Sequence, residues 1–279
     1  MKKKNKAIYL LFLMPFVYFA TACFVVWLVK TSGIYPSGSD TMYHVYRGDY
    51  VYNAIKSGNW YPLYDPAWYN GVEILRYWSP FPAYVMAFCQ YLAGGSQFGA
   101  YLFYIGGVCF LGACVWPFIG RGFNRPYLGA FIGLLWFFIP NNLCAIFIEG
   151  NLARSLSMIF LPVFIYSVYK YLYNHKLRYI PLMVFTFLLM ELCHLGYAGM
   201  VAIAVIIYGI VYIIQKGRKK AVLDVVISMI FGFMLLGIWL VASLRGGITS
   251  LDNSENMANF FQNLWITINP FERLTRGFE

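Results

Sequence analysis

Charge is the property that this sequence has least of. Only 11% of its 279 residues are Asp, Glu, Lys or Arg, whereas 61% are hydrophobic, and an average soluble domain carries about 25% charge. So few charges cannot cover a surface that faces water, and the chain has no low-complexity runs typical of disordered or fibrous proteins. The composition excludes a conventional soluble enzyme and indicates an all-α, polytopic membrane protein.

Sequence motifs typical of disulfide bonds and of metal sites are also missing. No CxxC pair occurs, so neither a disulfide framework nor a zinc knuckle is expected, and the cysteines are interpreted as small buried hydrophobes. Histidine is equally scarce, with three residues in the chain. The six cysteines, all in apolar runs, are Cys23, Cys89, Cys109, Cys114, Cys144 and Cys193.

Apolar runs predict seven crossings of the membrane. The first begins after Lys2, Lys3, Lys4 and Lys6 and, at about 1.5 Å per residue, is roughly 34 Å long. It is interpreted as an uncleaved anchor rather than a signal peptide, because the apolar run continues past a small-residue site at 20–22. The run 80–93 is short and opens with two prolines, which predicts a half-helix on the outer side and allows a count of seven to eight segments. The predicted crossings are 7–29, 98–119, 126–143, 153–173, 179–193, 197–214 and 221–243.

Positive charge predicts the orientation. The positive-inside rule places the N-terminus and three later basic clusters, at 121–125, 170–178 and 216–220, on the cytoplasmic side. The cytoplasmic side then carries a net charge of +12 and the outer side −2, which together give the +10 of the chain. Because membrane orientation explains the positive charge, and no aromatic-basic recognition motif accompanies it, nucleic acid is not expected as a partner. The prediction is a multi-pass protein of the cell membrane, with membrane lipid around it.

The first outer loop, 31–79, is long enough to indicate a function. Ser39 or Asp40 is a good N-cap for a helix over 41–57, and Gly58 can end that helix. Asp40 and His44 are four residues apart and share a helical face. Nine tyrosines and three tryptophans lie between Tyr35 and Trp78. They are explained either by an aromatic belt at the level of the lipid headgroups or by the walls of a cleft for a sugar or lipid head.

Short motifs carry a family resemblance over about residues 7–200. The loop segments SGSDTMYH (37–44), GNWYP (58–62), YNG (69–71) and YWSPFPAY (77–84) resemble the first outer loop of bacterial membrane proteins of the GT-C type. They are similar in particular to the group called 6-pyruvoyl-tetrahydropterin synthase-related membrane domains. Two later segments, IEGNLAR (148–154) and ELCHL (191–195), resemble the same group. The label does not imply a pterin enzyme, because the predicted topology separates His175 from His44 and His194.

The resemblance to GT-C proteins implies an enzyme of the cell envelope that transfers a sugar from a polyprenyl-phosphate carrier to an acceptor on the outer face. Asp40 matches the acidic residue of the first outer loop and is predicted to be the catalytic base. Arg47, Arg76 and Arg154 are the predicted cations for the leaving phosphate. Because Asp40 has no acidic neighbour within two residues, unlike members with paired acids, no metal cofactor is expected.

Ionisable residues at the ends of membrane segments complete the predicted site. Glu149, Glu191 and His194 fall on the same side as Asp40 and His44, and Glu191 and His194 share a helical face. These residues either position a substrate or hold a divalent cation. The structural alternative is that neighbouring polar groups satisfy each of them near the headgroups.

A different class of function is also compatible with the sequence. A transporter, or a scaffold for surface-polymer assembly, would keep the fold without the chemistry, although no internal repeat typical of transporters is visible. The chain is expected to form one membrane domain over 1–279. Its segment 245–279 is expected on the outer side, and the absence of a further span there is compatible with a fragment. Neither the sugar nor the acceptor can be read from the sequence.

Overall fold

The structure, a computed structural model, describes residues 2–36, 38–68, 71–76 and 78–245. The chain forms two compact units, Met1–Leu236 and Gly237–Glu279, and the predicted outer segment 245–279 lies outside the described residues apart from Arg245. Within the described ranges the fold is all-α, and the one bridge between extended residues joins Asp65 and Val72. The helices are α1 (Lys2–Ser32), α2 (Thr41–Lys56), α3 (Phe81–Leu92), α4 (Gln97–Gly122), α5 (Pro126–Leu135), α6 (Pro140–Leu143), α7 (Leu152–Asn174), α8 (Tyr179–Cys193), α9 (Leu195–Lys216), α10 (Lys219–Leu235) and α11 (Gly237–Arg245).

A multi-pass membrane protein is confirmed, but seven crossings are not. Four helices of the described part are long and apolar enough to span a membrane, namely α1, α4, α7 and α9, and two pairs of shorter helices raise the number to six. Helix α8 matches its predicted bounds, but its 15 residues extend only about 22 Å against a hydrocarbon core of about 30 Å. The 12-residue helix α3 has the short length predicted for a half-helix.

The predicted crossing 126–143 is wrong as one straight helix. Helix α5 continues into a 3₁₀ turn, Trp136–Phe138, and the chain then bends by 40° before α6 and a π turn, Cys144–Ile148. The bend follows from Pro140, which has no N–H to donate and which disfavours a helical conformation in the residue before it. Ile139 is accordingly extended, with ψ 120°.

Two apolar cores join the helices of the first unit. One includes residues of α1, α3, α4, α5 and α7, and the other includes residues of α7, α8, α9 and α10. Buried tyrosines connect helices through single hydrogen bonds in the first core. Tyr18 donates to the carbonyl of Ala130 at 2.8 Å, and Tyr104 donates to that of Leu152 at 2.8 Å. All six cysteines are free thiols, but the prediction that they are buried holds for Cys89, Cys109 and Cys193 only, since Cys23 is exposed and the other two are partly buried.

Side-chain contacts define one end of this unit, which we call the basic end. Lys170 donates to the carbonyl of Gly122 at 2.6 Å, and His175 contacts Arg218. These contacts bring together the three later basic clusters of the sequence. The side chains of residues 2–11, which include the first cluster, lie outside the described part.

Candidate functional site

The opposite end, which we call the loop end, is formed where the segment 38–41 before α2 meets the turn 149–151 before α7. The backbone N–H of Asp40 donates to the carbonyl of Glu149 at 3.1 Å, and the Ser39 hydroxyl donates to the same oxygen at 3.1 Å. Gly150 has φ +66°, a conformation that side chains rarely adopt, and a Cβ there would lie 2.2 Å from Thr41 Oγ1. Glycine therefore allows the two backbones to touch.

Asp40 is the N-cap residue of α2, as predicted, but its carboxylate does not cap the helix. Its Oδ1 lies 3.2 Å from the Ser39 hydroxyl, which shares its one proton between this oxygen and the Glu149 carbonyl, and the residue is partly exposed. The helix that it precedes ends at Lys56, one residue before the predicted end, and Gly58 takes a positive φ of +86°. Asp40 therefore presents a carboxylate that the helix does not use.

His194 joins the same place from the junction between α8 and α9. Its Nδ1 accepts a hydrogen bond from the Tyr197 backbone N–H at 3.0 Å, so the proton of the neutral ring lies on Nε2. That Nε2 is 3.3 Å from Nδ2 of Asn151, the N-cap residue of α7. Burial lowers the pKa of His194 and Arg154 lowers it further, whereas the nearby Asp40 carboxylate acts in the opposite sense. The ring is therefore neutral, and the Asp40 carboxylate acts on it electrostatically.

His44 and Arg47 lie one turn apart on the buried face of α2. Burial, together with the charge of Arg47 and the proximity of His194, lowers the pKa of His44 to about 3. Arg47 is 1% exposed, and burial lowers its pKa as well. Its Nη2 lies 3.2 Å and 3.5 Å from the carbonyls of Trp78 and Ser79, while its Nε has no hydrogen-bond partner. A charged guanidinium is thus enclosed without an ion-pair partner in the described part of the chain.

The carboxylate of Glu149 is paired with Arg154, with 2.7 Å between Oε2 and Nη2. Burial raises the pKa of Glu149, but the hydrogen bonds from Arg154 and Cys144 outweigh it, so the pKa is lowered on balance. Glu149 lies in the short connection between the π turn Cys144–Ile148 and α7, and its ion pair agrees with the alternative that neighbouring polar groups satisfy it. The pair places one positive and one negative charge at the loop end.

Glu191 is the most enclosed acid of the predicted set. It is 2% exposed, and its Oε2 has no hydrogen-bond partner. Its backbone carbonyl accepts a hydrogen bond from the Ser79 hydroxyl at 3.0 Å. Ser79 therefore lies between Glu191 and Arg47, and it links the start of α3 to α2 and α8.

Contacts or electrostatic interactions relate seven of the eight predicted site residues to the loop end, and the eighth has a partner elsewhere. Arg76 pairs with Glu73 in the loop between α2 and α3. His175 lies at the basic end, away from His44 and His194. The catalytic and binding roles of the eight residues stay predictions. The seven are Asp40, His44, Arg47, Glu149, Arg154, Glu191 and His194.

Three residues of the site were not singled out from the sequence. Thr41, Ser79 and Asn151 lie within the quoted motifs, and Asn151 is also a typical N-cap before an apolar run, which is the signal that could have found it. No group of three or more His, Cys, Asp or Glu residues in the described ranges is arranged to hold a metal ion. The structure thus gives no support to the divalent-cation alternative.

The aromatic residues of the loop fall into two groups. Trp68 packs edge-on against Tyr43 and Tyr46, with ring centroids 4.8 Å and 4.5 Å apart, beside the first turn of α2. Trp60, in contrast, is 70% exposed. Both explanations offered for these rings are therefore compatible with their positions. Ser37, Tyr69, Asn70 and Tyr77 of the loop motifs lie outside the described residues.

Comparison with known families decides the classification. Residues 75–279, about three quarters of the chain, match the 6-pyruvoyl-tetrahydropterin synthase related domain, which is described as a membrane protein. The chain belongs to this family. The related domain includes the later segments 148–154 and 191–195, whereas Asp40 and most of the first loop precede the matched range. The group inferred from the motifs is confirmed. No curated protein and no solved structure matches the chain.

Proposed function

We propose that this protein is a GT-C-like membrane enzyme that transfers a sugar from a polyprenyl-phosphate carrier to an acceptor at the outer face of a bacterial cell membrane. The observation that carries the proposal is the environment of Asp40. Its carboxylate is partly exposed and does not cap α2, and its charge acts on the neutral ring of His194. A catalytic base needs such an accessible carboxylate, and the Asp40 carboxylate is not used as a helix cap.

In the proposed reaction Asp40 accepts the proton of the acceptor hydroxyl. The acceptor oxygen attacks the anomeric carbon while the bond from that carbon to the carrier phosphate oxygen breaks, with inversion at the carbon. The electron pair of the broken bond stays on the phosphate. Arg154, which is partly exposed and already holds a carboxylate, supports a role in stabilising that charge. Arg47 adds a buried positive charge. Arg76, in the loop between α2 and α3, stays a second candidate for binding the phosphate.

The orientation of the protein follows from its two ends. The positive-inside rule favours the basic end on the cytoplasmic side, which puts the N-terminus in the cytoplasm and the loop end outside. Polyprenyl-linked sugars at the outer leaflet would then reach Asp40 from the membrane. The sugar and the acceptor remain to be identified by assay.

The decisive experiment replaces Asp40 by Asn, which keeps the shape of the side chain and removes its basicity. Transfer from a panel of polyprenyl-phosphate hexoses, measured as release of polyprenyl phosphate by the purified protein, should fall by about 10²- to 10⁴-fold. The matched control is Asp49→Asn on the same helix. Asp49 accepts a hydrogen bond from Gln90 at 2.6 Å, which an Asn oxygen can also accept, so activity should persist.

Two outcomes would contradict the proposal. Full activity of the Asp40→Asn variant would remove Asp40 from the chemistry. A wild-type protein that releases no polyprenyl phosphate from any carrier of the panel would favour the non-catalytic alternative, a transporter or an assembly scaffold.

A further inference from the structure

Three long helices begin at the loop end. The N-cap residues of α2, α7 and α9 are Asp40, Asn151 and His194, and these helices have 16, 23 and 22 residues. Asn151 directly follows Gly150, which touches Thr41 at the start of α2, and it lies 3.3 Å from His194. The aligned peptide dipoles of a helix place about +0.5 charge at its N-terminus. Three positive helix ends therefore meet at one junction, which we call the N-cap junction.

Hydrogen-bond donors at the N-cap junction lack acceptors. Thr41 is 1% exposed and its Oγ1 has no hydrogen-bond partner. That oxygen lies where Gly38 and Gly150 meet, since a Cβ on either glycine would approach it within 2.5 Å. The Nε of Arg154 is also buried without a partner, although its Nη2 is held by Glu149. Buried donors without partners are uncommon because they cost free energy, so these point to an acceptor that the chain does not supply.

The charges around the N-cap junction favour an anion. The two guanidinium groups of Arg47 and Arg154 balance the two carboxylates of Asp40 and Glu149, and both imidazoles are neutral. The enclosed carboxyl of Glu191 has no cation within ion-pair distance in the described part, which favours its neutral form. The side chains thus sum to about zero. The three helix ends then add roughly +1.5, which an anion with one or two negative charges would balance.

We propose that the N-cap junction binds a phosphate group through Thr41 Oγ1, Arg154 Nε and His194 Nε2. These donors belong to the starts of three different helices, α2, α7 and α9. A tetrahedral phosphate offers acceptor oxygens in several directions, whereas a carboxylate is planar. Asp40, Asn151 and His194 are partly exposed, so the junction is open to a ligand at its rim. Within the proposed function this phosphate belongs to the carrier, and to that extent the inference rests on it.

The test measures thermal unfolding of the purified full chain in detergent. Inorganic phosphate should raise the Tm saturably, beyond the effect of sodium chloride at equal ionic strength. Farnesyl phosphate is compared with farnesol in the same way. Binding of farnesyl phosphate at least tenfold tighter than that of inorganic phosphate assigns the site to a lipid-linked phosphate, and equal affinities assign it to free phosphate.

Thr41→Val is the decisive variant, because it removes a hydroxyl without a partner and keeps the shape of the side chain. Its Kd for phosphate should rise at least tenfold, while its Tm without ligand should equal or exceed that of the wild type. A merely structural hydroxyl would lower that Tm. Thr41→Ser should bind like the wild type. Thr186→Val is the matched control, since the Thr186 hydroxyl donates to the carbonyl of Leu182 at 2.6 Å, and its Kd should not change.

Either of two results would overturn the inference: no Tm response of the wild type beyond that to chloride, or an unchanged Kd in Thr41→Val. Phosphate binding that depends on Thr41, without any sugar transfer, would leave this site intact and contradict the proposed function alone. Sugar transfer with phosphate binding independent of Thr41 would contradict this site alone.

Discussion

The two ends of the helical unit treat their polar groups in opposite ways. At the basic end, the Tyr171 hydroxyl donates to Asp224 at 2.6 Å, and Lys170 donates to the Gly122 carbonyl at 2.6 Å. At the loop end, Thr41 Oγ1, Arg47 Nε and Glu191 Oε2 are buried without hydrogen-bond partners. These basic-end groups are paired within the chain, whereas these loop-end groups, two donors and an acid, are not.

This difference indicates where a ligand is expected to bind. Polar groups that are paired inside a protein stabilise its fold, whereas enclosed polar groups without partners lower its stability unless something else binds them. A protein that carries several such groups in one place loses stability there in the unliganded state. The loop end is therefore the place to look for substrate, and the predictions below test the contrast between the two ends.

The largest effect on stability is expected when two glycines with similar backbone angles, one at each end, are each replaced by alanine. Gly150 at the loop end and Gly217 at the basic end have φ +66° and +69°. In Gly150→Ala the new Cβ meets the Thr41 backbone nitrogen at 2.6 Å, while Gly217→Ala meets nothing within 4 Å. We expect Gly150→Ala to lose at least about 4 kcal/mol and Gly217→Ala about 1 kcal/mol, measured by thermal unfolding in detergent. Equal losses would show that the close approach at Gly150 contributes nothing.

A second, intermediate effect is expected from pH. His44 has a pKa of about 3 in the folded protein against 6.5 in its ordinary state, so between these values the unfolded chain binds a proton that the folded chain does not. Stability should therefore fall as the pH decreases below 6.5, by about 2 kcal/mol at pH 5. His44→Phe should remove this part of the pH dependence of Tm. His175→Asn, at the exposed basic-end position, should keep it, and identical profiles for both variants would contradict the assignment to His44.

The smallest effect on stability is expected when one hydroxyl from each end is removed. Tyr171→Phe removes the hydrogen bond to Asp224 and should lower the free energy of unfolding by about 1.5 kcal/mol, because the acceptor is a carboxylate. Thr41→Val removes a hydroxyl with no partner and should cause no loss. Both are measured as changes in Tm without ligand. A loss from Thr41→Val as large as that from Tyr171→Phe would abolish the contrast between the two ends.

Much of the fold could be predicted because membrane helices depend on local properties. The bounds of α2 and α8 were predicted to within one residue from caps and apolar runs, and the long helices to within about five. The break at Pro140 was missed, since the apolar run continues through it and only the backbone reveals the bend. The seven predicted crossings are not confirmed, because apolar composition alone does not distinguish a 15-residue helix such as α8 from a complete span.

Most residues of the site could be predicted from the sequence, but their arrangement could not. Asp40, His44, Glu149, Glu191 and His194 were grouped by topology alone, and in the structure direct contacts connect the segments that carry Asp40, Glu149 and His194. Their different states could not be predicted, since burial distinguishes the enclosed Glu191 from the ion-paired Glu149. The missing hydrogen-bond partner of the Thr41 hydroxyl could not be predicted, because it depends on the residues that pack around that hydroxyl.

The sequence by itself determined that the protein is a helical membrane protein, and it grouped the ionisable residues that lie at one end of the helical unit. Hydrophobicity and charge are properties of single residues, so the composition of the chain and the order of its residues suffice for these conclusions. Tertiary structure alone decided that Gly38 and Gly150 bring two backbones together and that three helix N-termini meet beside Thr41. Such contacts join residues that are 43 to 112 positions apart, and they depend on packing that no local pattern encodes.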